Sequence, residues 1–561
     1  MTIKDHGQMN WYRKVSQNES PIVITDHERK VFDVITMVAQ SLPNDPHPRV
    51  AGGWVRDKLM DQDSDDIDIS LEGMTGKDFV EAIKLYVQQN QVPRGLIGGS
   101  YVVPQNLDKS KHLATAAIEI DGQKIDFVNM RKEPSGIYET GSRIPTEMMM
   151  GTPQEDAERR DLTINSMFYN IENGQVEDFT KKGMQDLQTM TLRTPLDPKT
   201  TFSDDPLRML RLARFYARYP QSTIDPATEA AMADPEVQAS YGSVDSQRAG
   251  PEILKTLSAD NPEKGMRLLF SSGLYREVFK SPETENLKPI EMDQQTPYHK
   301  WDVMKHTLLV IEEANKKAKE LGLPDNERSL VNLAAVFHDL GKLAPDIQKP
   351  HETEPERMTY KGHENRSMEI SDAVTKTMGY ISEEDRKFVN TLVAFHMYAH
   401  HADITKEQEG TDDLKVKGGA FGRMRDKMKK MVGENDALAD KAWSFIWQIL
   451  GPADELATGR ENAPEGIEKK RRQYEAMQIY RAEMTEKARQ PFIDGREIMQ
   501  MYPDLKPHYL PKGQTMGFIG MAQNSLLEAQ RNGEVTNEEE ARQFVLNLRS
   551  EIMAIYGPQS G

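Results

Sequence analysis

The chain has 561 residues, too many for one hydrophobic core, and ordinary domain sizes divide it into roughly three to five domains. It holds no cysteine, which excludes disulfides and thiolate metal sites and leaves histidine and carboxylate as the ligands for any metal. A net charge of −18 runs against a nucleic-acid partner unless basic side chains gather locally, and the absence of any apolar run near ~18 residues runs against a membrane span; with a polar N-terminus lacking a secretory pattern, the expected location is the cytoplasm.

Residues 1 to about 172 alternate short apolar runs with helical stretches, an α/β pattern. Ile67-Asp68-Ile69 and Lys124-Ile125-Asp126-Phe127-Val128 alternate as half-buried strands do, and glycine pairs at 52–53 and 98–99 and a loop over 134–141 punctuate them. From about 173 the pattern is almost wholly helical, with Leu207, Leu210, Leu212 and Phe215 opening an amphipathic stripe that continues to about 290. A stretch near 281–297, rich in proline and acids, suits a linker. Helical segments from His299 to about 460 hold most of the histidines, and the remainder is helical with a Pro/Gly-interrupted middle at 501–517. The expected organisation is four segments: 1–172, 173–290, 291–460 and 461–561.

Four pieces of the first half suit one chemistry. Gly52-Gly53-Trp54-Val55-Arg56-Asp57 follows the strand-like Arg49-Val50-Ala51, and glycines at a strand-to-helix turn let backbone N–H groups approach a phosphate. In Asp66-Ile67-Asp68-Ile69, residues two apart on a strand share a face, so both carboxylates project together and repel unless a cation lies between them. That arrangement suits Mg²⁺ and a triphosphate, with Asp126 on a second strand as a supporting acid or as the partner of an arginine. Arg159-Arg160-Asp161-Leu162-Thr163-Ile164-Asn165 places Asp161 and Asn165 one helical turn apart, able to grip a ribose, with the arginines on phosphates. In Asp204-Asp205-Pro206-Leu207-Arg208-Met209-Leu210-Arg211, Pro206 suits a first helical turn capped by Asp204 or Asp205. Asp205 and Arg208 there form either an internal salt bridge or a pair that reads bases. A carboxylate accepting an exocyclic amino group beside a guanidinium donating to a ring nitrogen selects C and A over G and U.

Taken together in this order, the four pieces resemble the class II tRNA nucleotidyltransferases, the CCA-adding enzymes and their poly(A) polymerase relatives, from about Arg49 to Lys255. Val176-Glu177-Asp178-Phe179 with Gly183, Asp186 and Leu187, and Ser246-Gln247-Arg248 with Glu252 and Lys255, resemble that family's hinge and last neck motifs. The resemblance implies an α/β nucleotidyltransferase head with a polymerase β-like mixed sheet and an all-α neck. In it Asp66 and Asp68 bind metal and catalyse, while Gly52, Gly53, Arg56, Arg159, Asp161, Asn165, Asp205, Arg208 and Arg211 bind the nucleotide. It also implies CTP and ATP as substrates, tRNA as partner and Mg²⁺ as cofactor. Asp204 stands where many bacterial members have Glu, and Lys109-Ser110-Lys111-His112 and Asp126-Phe127-Val128-Asn129-Met130-Arg131 look more like the eukaryotic branch.

His306, His338-Asp339, His363, His396 and Asp454 lie on successive predicted helices around Phe337-His338-Asp339-Leu340-Gly341-Lys342. Histidine with carboxylate suits Mn²⁺, Ni²⁺, Fe or Mg²⁺. The pattern resembles the HD phosphohydrolase superfamily, which implies His306, His338, Asp339 and Asp454 as metal ligands, Asp440 competing with Asp454, and His363 and His396 in support. His400 and His401 are read as surface residues. An HD domain behind such a head is similar to one group of bacterial CCA-adding enzymes, associated with 2′,3′-cyclic phosphodiesterase, 2′-nucleotidase and phosphatase activities. Phe492-Ile493-Asp494-Gly495-Arg496-Glu497 and Glu528-Ala529-Gln530 resemble that group's helical tail. The Lys/Arg segments near 423 and 469 and the Arg-rich neck are the expected tRNA contacts.

Overall fold

The computed structural model describes residues 22–557 apart from 65, 91–95, 103–115, 133–149, 380, 402–404, 408–413, 484–489, 506–516 and 532–533. The loop expected over 134–141 and the 109–112 stretch lie outside the described residues. Two compact units are present, Met1–Lys280 with Met378–Tyr380, and Ser281–Thr377 with Ile381–Gly561. Among the described residues no helix is long and apolar enough to cross a membrane.

The first unit opens on the helix Asp26–Gln40, started by a capping box in which Thr25 accepts from the Glu28 N–H and Glu28 accepts from the Thr25 N–H. A seven-stranded sheet follows: β1 Arg49–Ala51, β2 Ile67–Leu71, β3 Ile97–Val102, β4 Ala116–Ile120, β5 Gln123–Asn129, β6 Phe168–Asn170 and β7 Val176–Glu177. Its order is β3-β4-β5-β2-β1-β6-β7, and the central β2/β5 pair is parallel among antiparallel neighbours. Period-two alternation assigns the faces: Ile125 and Phe127 of β5 are fully buried while Lys124 and Asp126 point away from that core. The helix Gly76–Gln89 packs so closely on β5 that a Cβ at Gly76 would lie 2.2 Å from the Phe127 carbonyl oxygen.

Beyond the sheet the chain is helical. Leu207–Arg218 buries Leu207, Leu210, Leu212 and Phe215 against Ser246–Leu257 and Pro262–Ser272, the stripe expected from its spacing. Gly265 is the crossing point, since a Cβ there would meet the Ala213 carbonyl oxygen at 2.8 Å. In the second unit, Val303–Glu320, Asp325–Phe337, His363–Thr377, Glu383–Phe395 and Gly451–Ala457 pack around one core. A π-helical stretch, Ile446–Leu450, leads into the last of these and shifts the register of its side chains. Tail helices Gly495–Met501, Phe518–Arg531, Glu538–Asn547 and Arg549–Tyr556 share a separate core around Tyr502, Phe518, Leu526 and Val545, tied by the Tyr502 hydroxyl donating to the Val545 carbonyl at 2.6 Å. Three two-stranded ribbons interrupt the helices: Thr191–Leu192 with Thr223–Ile224, Lys349–Pro350 with Met358–Thr359, and Thr405–Glu407 with Leu414–Val416.

Candidate functional site

In the head, β1 ends at Gly52, whose φ of +70° turns the chain into the helix Gly53–Leu59. An L side chain there would be strained by that φ, so the backbone favours glycine; a Cβ would also press on Arg160 Nη1 at 2.9 Å. Nothing crowds Gly53, whose nearest neighbour to a built Cβ is Arg56 Nη2 at 3.7 Å.

Asp68 lies on β2, and its register partner across the parallel ladder is Asp126 of β5, so the two carboxylates share one side of the sheet. Asp66 precedes β2 rather than lying within it, but its charge still acts on Asp68. Although Asp68 is open to solvent on one side, its carboxyl is raised above the ordinary aspartate range, first by loss of surrounding water and then by Asp126; Arg160 partly offsets this and Asp66 adds to it. Asp126 also accepts from Lys124 Nζ at 2.6 Å, so its partner is a lysine rather than an arginine. Among the described residues these three acids do not gather all their ligand atoms within 4.8 Å of one another.

The Arg159–Asn165 segment is not the single helix that the four-residue spacing suggested. Pro153–Glu158 ends at Arg159, and a short 3₁₀ turn, Thr163–Asn165, follows. Asp161 and Asn165 still meet, because the Asp161 carboxylate accepts from Asn165 Nδ2 at 3.0 Å and from the Leu162 N–H at 2.8 Å. Its other oxygen accepts from Arg211 Nε at 2.7 Å, and Asn165 Oδ1 accepts from Arg56 Nη1 at 2.5 Å. One network therefore joins the glycine turn, the 3₁₀ turn and the helix Leu207–Arg218. Arg56 also lies over the Phe215 ring, 5.2 Å from its centroid. Arg159 and Arg160 both grip the buried Asp156, at 2.5 and 2.8 Å.

Asp205 and Arg208 do not make the salt bridge considered for them. Asp205 caps its helix through the Leu207 N–H at 3.3 Å and pairs with Arg248 Nη2 at 2.8 Å. Arg208 is buried and donates to the carbonyls of Thr201 at 2.8 Å and Arg159 at 2.5 Å. Arg214 pairs with Glu252 at 3.0 Å, so Arg248 and Glu252, one turn apart on the helix Ser246–Leu257, each meet a partner from the 205–214 segment.

The network carries a stability prediction. Burial alone would raise the Asp161 carboxyl, but Arg211, Asn165 and the Leu162 N–H bring it down to about 2. A folded-state value below the ordinary aspartate 3.8 contributes stability that is present above pH 4 and lost as pH falls toward 2. The shift corresponds to about 2 kcal/mol. Arg211→Ala, which leaves that carboxylate buried without its cation, is expected to cost roughly 3 kcal/mol at pH 7 in urea unfolding and much less at pH 2. An equal cost at both values would contradict the assignment.

In the second unit the histidines converge. His338 and His396 sit at the C-termini of Asp325–Phe337 and Glu383–Phe395, where the Nδ1 atoms face the free carbonyls of Ala335 at 2.8 Å and Val393 at 2.7 Å. His363 Nδ1 faces the Tyr360 carbonyl at 2.8 Å, and His306 Nδ1 that of Ala457 at 3.3 Å. A backbone acceptor at Nδ1 fixes the proton there and presents Nε2 as a lone pair, the arrangement that metal-ligating histidines use. All four Nε2 atoms point at Asp339: His306 at 3.3 Å, His338 at 3.4 Å, His363 at 3.2 Å and His396 at 3.8 Å. Asp454, one turn beyond the π stretch, meets His306 Nε2 at 3.1 Å.

The donor set fits a cation. His306 and His338 bring their Nε2 atoms within 3.3 Å of each other, and the buried Nε2 atoms of His363 and His396 have no hydrogen-bond partner. Such atoms carry a desolvation cost that a shared metal offsets. Burial and the neighbouring His338 and His363 hold His396 down to about 3, a neutral imidazole. His306, Asp339 and His338 form one group with ligand atoms within 4.8 Å, and Asp339, His363 and His396 a second sharing the same aspartate.

Three residues were missed or misplaced from sequence. His400, read as a surface residue, places Nε2 2.9 Å from Asp454 and Nδ1 3.3 Å from Glu455 and is only 13% exposed. Its position four after His396 was the available signal. Lys342 is buried and donates to Asp339 at 2.7 Å and Gln294 at 3.0 Å, and it touches His299 at 3.2 Å. His299 in turn packs edge-on against His306, ring centres 4.5 Å apart. The side chain of His401 lies outside the described residues. The competitor Asp440 is held by Arg425 at 2.9 Å and Arg481 at 2.6 Å. The basic segments are similarly engaged: Lys470 is buried on Glu455 at 2.7 Å, and Arg471 pairs with Glu468 and Glu475, each at 2.5 Å. A cavity of about 1350 Å³ opens on the cluster, and Asp339, His363, His400, Asp454, Tyr298 and Arg357 are among the residues that line it.

Comparison with known proteins follows this division. Residues 48–193 match the Poly A polymerase head domain, 223–287 the probable RNA and SrmB-binding site of polymerase A, and 303–438 the HD domain, so Asp454 lies beyond the last match. The mitochondrial CCA tRNA nucleotidyltransferase of Saccharomyces cerevisiae is 41% identical over 271 residues, 47% of this chain and 49% of that protein. The tRNA nucleotidyltransferase cca2 of Schizosaccharomyces pombe is 40% identical over 50% of this chain and 57% of its own length. The Multifunctional CCA protein of Mannheimia succiniciproducens is 30% identical over 44% and 55%. The chain thus spans about half the length of the curated relatives it matches. Solved structures share the fold: a Thermotoga maritima CCA-adding enzyme complexed with tRNA has a TM-score of 0.51 at 16% identity, covering 93% of this chain and 96% of that one. A CCA-adding enzyme with CTP has a TM-score of 0.53 at 18% identity, covering 98% and 99%. The Saccharomyces cerevisiae relative and one from Candida glabrata are mitochondrial proteins, which overturns the expectation of a cytoplasmic location. The chain thus carries, in this order, segments matching a Poly A polymerase head domain, the probable RNA-binding site of polymerase A and an HD domain.

Proposed function

We propose that the chain builds or repairs the 3′-terminal CCA of tRNA from CTP and ATP, and that its HD domain is an auxiliary phosphohydrolase acting on RNA ends or nucleotides. The observation that carries the reading is the in-register pair Asp68 and Asp126 on parallel strands, with Asp66 beside them, beyond a glycine turn. Surplus negative charge there suits Mg²⁺, which Asp66 and Asp68 would hold with Asp126 in support. When bound, such ions make the RNA 3′-hydroxyl a better nucleophile and offset the charge of the departing pyrophosphate.

The protein side of the reaction is positioning. Gly52 and Gly53 bring backbone toward the triphosphate, Arg56 and Arg159 supply cationic charge beside it, and Asp161 with Asn165 orients the ribose. Asp205 and Arg208 read the amino and ring-nitrogen edge shared by C and A, with Arg211 holding the Asp161 carboxylate. Since Arg208 is donating to two carbonyls and Asp205 is paired with Arg248, base reading requires these partners to exchange when a nucleotide enters. In this reading residues 1–172 are the catalytic head, 173–290 the neck, 291–460 the hydrolase domain and 461–561 a tail that contributes to tRNA binding.

His306, His338, Asp339 and Asp454, with His363 and His396, would hold a divalent ion such as Mn²⁺, Ni²⁺, Fe or Mg²⁺. The unpartnered Nε2 atoms support that reading. A bound ion would supply an activated water for phosphoester cleavage. Removing a damaged 3′ phosphate would leave a hydroxyl for the head to extend. A poly(A) polymerase or an enzyme adding only CC or only A is the alternative on the same head. The test supplies Mg²⁺, tRNA ending at the discriminator base, and each nucleotide singly. Two additions with CTP alone and none with ATP alone are expected; repeated addition from ATP alone would replace this reading with poly(A) synthesis.

A further inference from the structure

The HD cavity is lined by residues that the metal cluster does not use. Tyr298 is one of them and is 55% exposed. The Arg357 guanidinium lies over its ring, 4.9 Å from the centroid. Arg357 is itself oriented by Glu354 at 2.9 Å, and it immediately precedes the strand Met358–Thr359 of the ribbon paired with Lys349–Pro350. That ribbon is fastened to the Tyr298 loop: the Met358 N–H donates to the Gln295 carbonyl at 2.9 Å, and the Tyr360 hydroxyl to that of Gln294 at 2.7 Å. The platform is therefore built on a braced support.

His299, the next residue, packs on His306 and touches Lys342, while Tyr298 lines the cavity that Asp339, His363 and Asp454 also line, so platform and cluster share one cavity. Lys349 and Lys361 line it as well, beside Glu352 and Glu364. Aromatic rings and arginine guanidinium planes are the surfaces on which proteins stack unpaired bases.

We infer that Tyr298 and Arg357 form a base-stacking subsite, so that the HD cavity takes a nucleotide or the terminal nucleotide of an RNA rather than a base-free phosphoester. The inference rests on the reading of the HD cavity as a phosphohydrolase site. Full-length wild type, Tyr298→Ala, Tyr298→Phe and Arg357→Ala are assayed on a nucleoside 2′,3′-cyclic phosphate, a short 3′-phosphorylated RNA and p-nitrophenyl phosphate. Tyr298→Ala is expected to raise KM for a base-bearing substrate on the order of ten-fold with kcat little changed, while Tyr298→Phe keeps wild-type values and p-nitrophenyl phosphate is unaffected. Loss on the mononucleotide alone assigns free nucleotides, and loss on the RNA assigns RNA ends. A parallel change on all three substrates, or no change, overturns the subsite. Calorimetry with AMP and ribose 5-phosphate separates the two claims: if wild type hydrolyses nothing yet loses AMP binding on Tyr298→Ala, the hydrolase reading falls and the subsite stands. Equal AMP binding in both proteins overturns the subsite itself.

Discussion

Asp68→Ala is expected to abolish nucleotide addition, lowering the single-turnover rate on tRNA by on the order of a thousand-fold, while the protein stays folded. The size follows from the several kcal/mol that a divalent ion contributes at a phosphoryl centre, each 1.36 kcal/mol being about ten-fold. The fold survives because Asp68 points away from the Ile67/Ile69 core and faces two like charges, Asp126 and Asp66, so removing it relieves repulsion in the metal-free protein. Urea unfolding is the control: Asp68→Ala should match wild type or exceed it. A variant that lost activity together with several kcal/mol of stability would point to a structural role, and one that kept wild-type rates would remove the metal-binding role altogether.

His338→Ala is expected to do the converse. His338 lies at the centre of the cluster, with its Nδ1 on a helix-end carbonyl and its Nε2 within 3.4 Å of both His306 and Asp339. Without it, phosphate release from RNA ends or nucleotides should fall at least about a hundred-fold, the upper scale for disturbing a metal's ligand shell. Metal content of the purified protein should fall with it, and CCA addition should stay within about two-fold. Loss of both activities together would mean that one site serves both reactions. Unchanged phosphate release would move the hydrolysis away from this cluster.

Residue types at fixed spacing made much of this legible. The alternation around Asp68 and Asp126 showed both as strand acids facing away from the apolar side, and the placement of His306, His338, His363 and His396 on successive predicted helices around His338-Asp339, resembling the HD pattern, singled them out. Register across strands was not legible: nothing local says that Asp68 pairs with Asp126 rather than with a neighbour one residue away, since register is set by the whole sheet. Asp161 and Asn165 were read as one helical face, but the chain leaves the helix at Arg159 and the side chains meet across a 3₁₀ turn instead.

Charge was the least legible quantity. Lys470 and Arg471 sit in a basic run, yet one is buried on Glu455 and the other is paired on both sides with acids of its own helix. Arg425 is likewise engaged by Asp436 and Asp440. A local count of Lys and Arg overstates the cationic surface that these segments offer RNA, because acids on the same helix and on neighbouring ones already engage them. The same blindness hid His400, whose importance depends on Asp454 arriving from another helix, and Lys342, which meets Gln294 from 48 residues away.

Sequencing the 3′ ends of tRNA extended by the wild-type protein, with all four nucleoside triphosphates and Mg²⁺ present together, tests the central proposal most directly. Ends that read C-C-A and grow no further are the predicted result. Homopolymeric A tracts, random additions or unextended tRNA would contradict it.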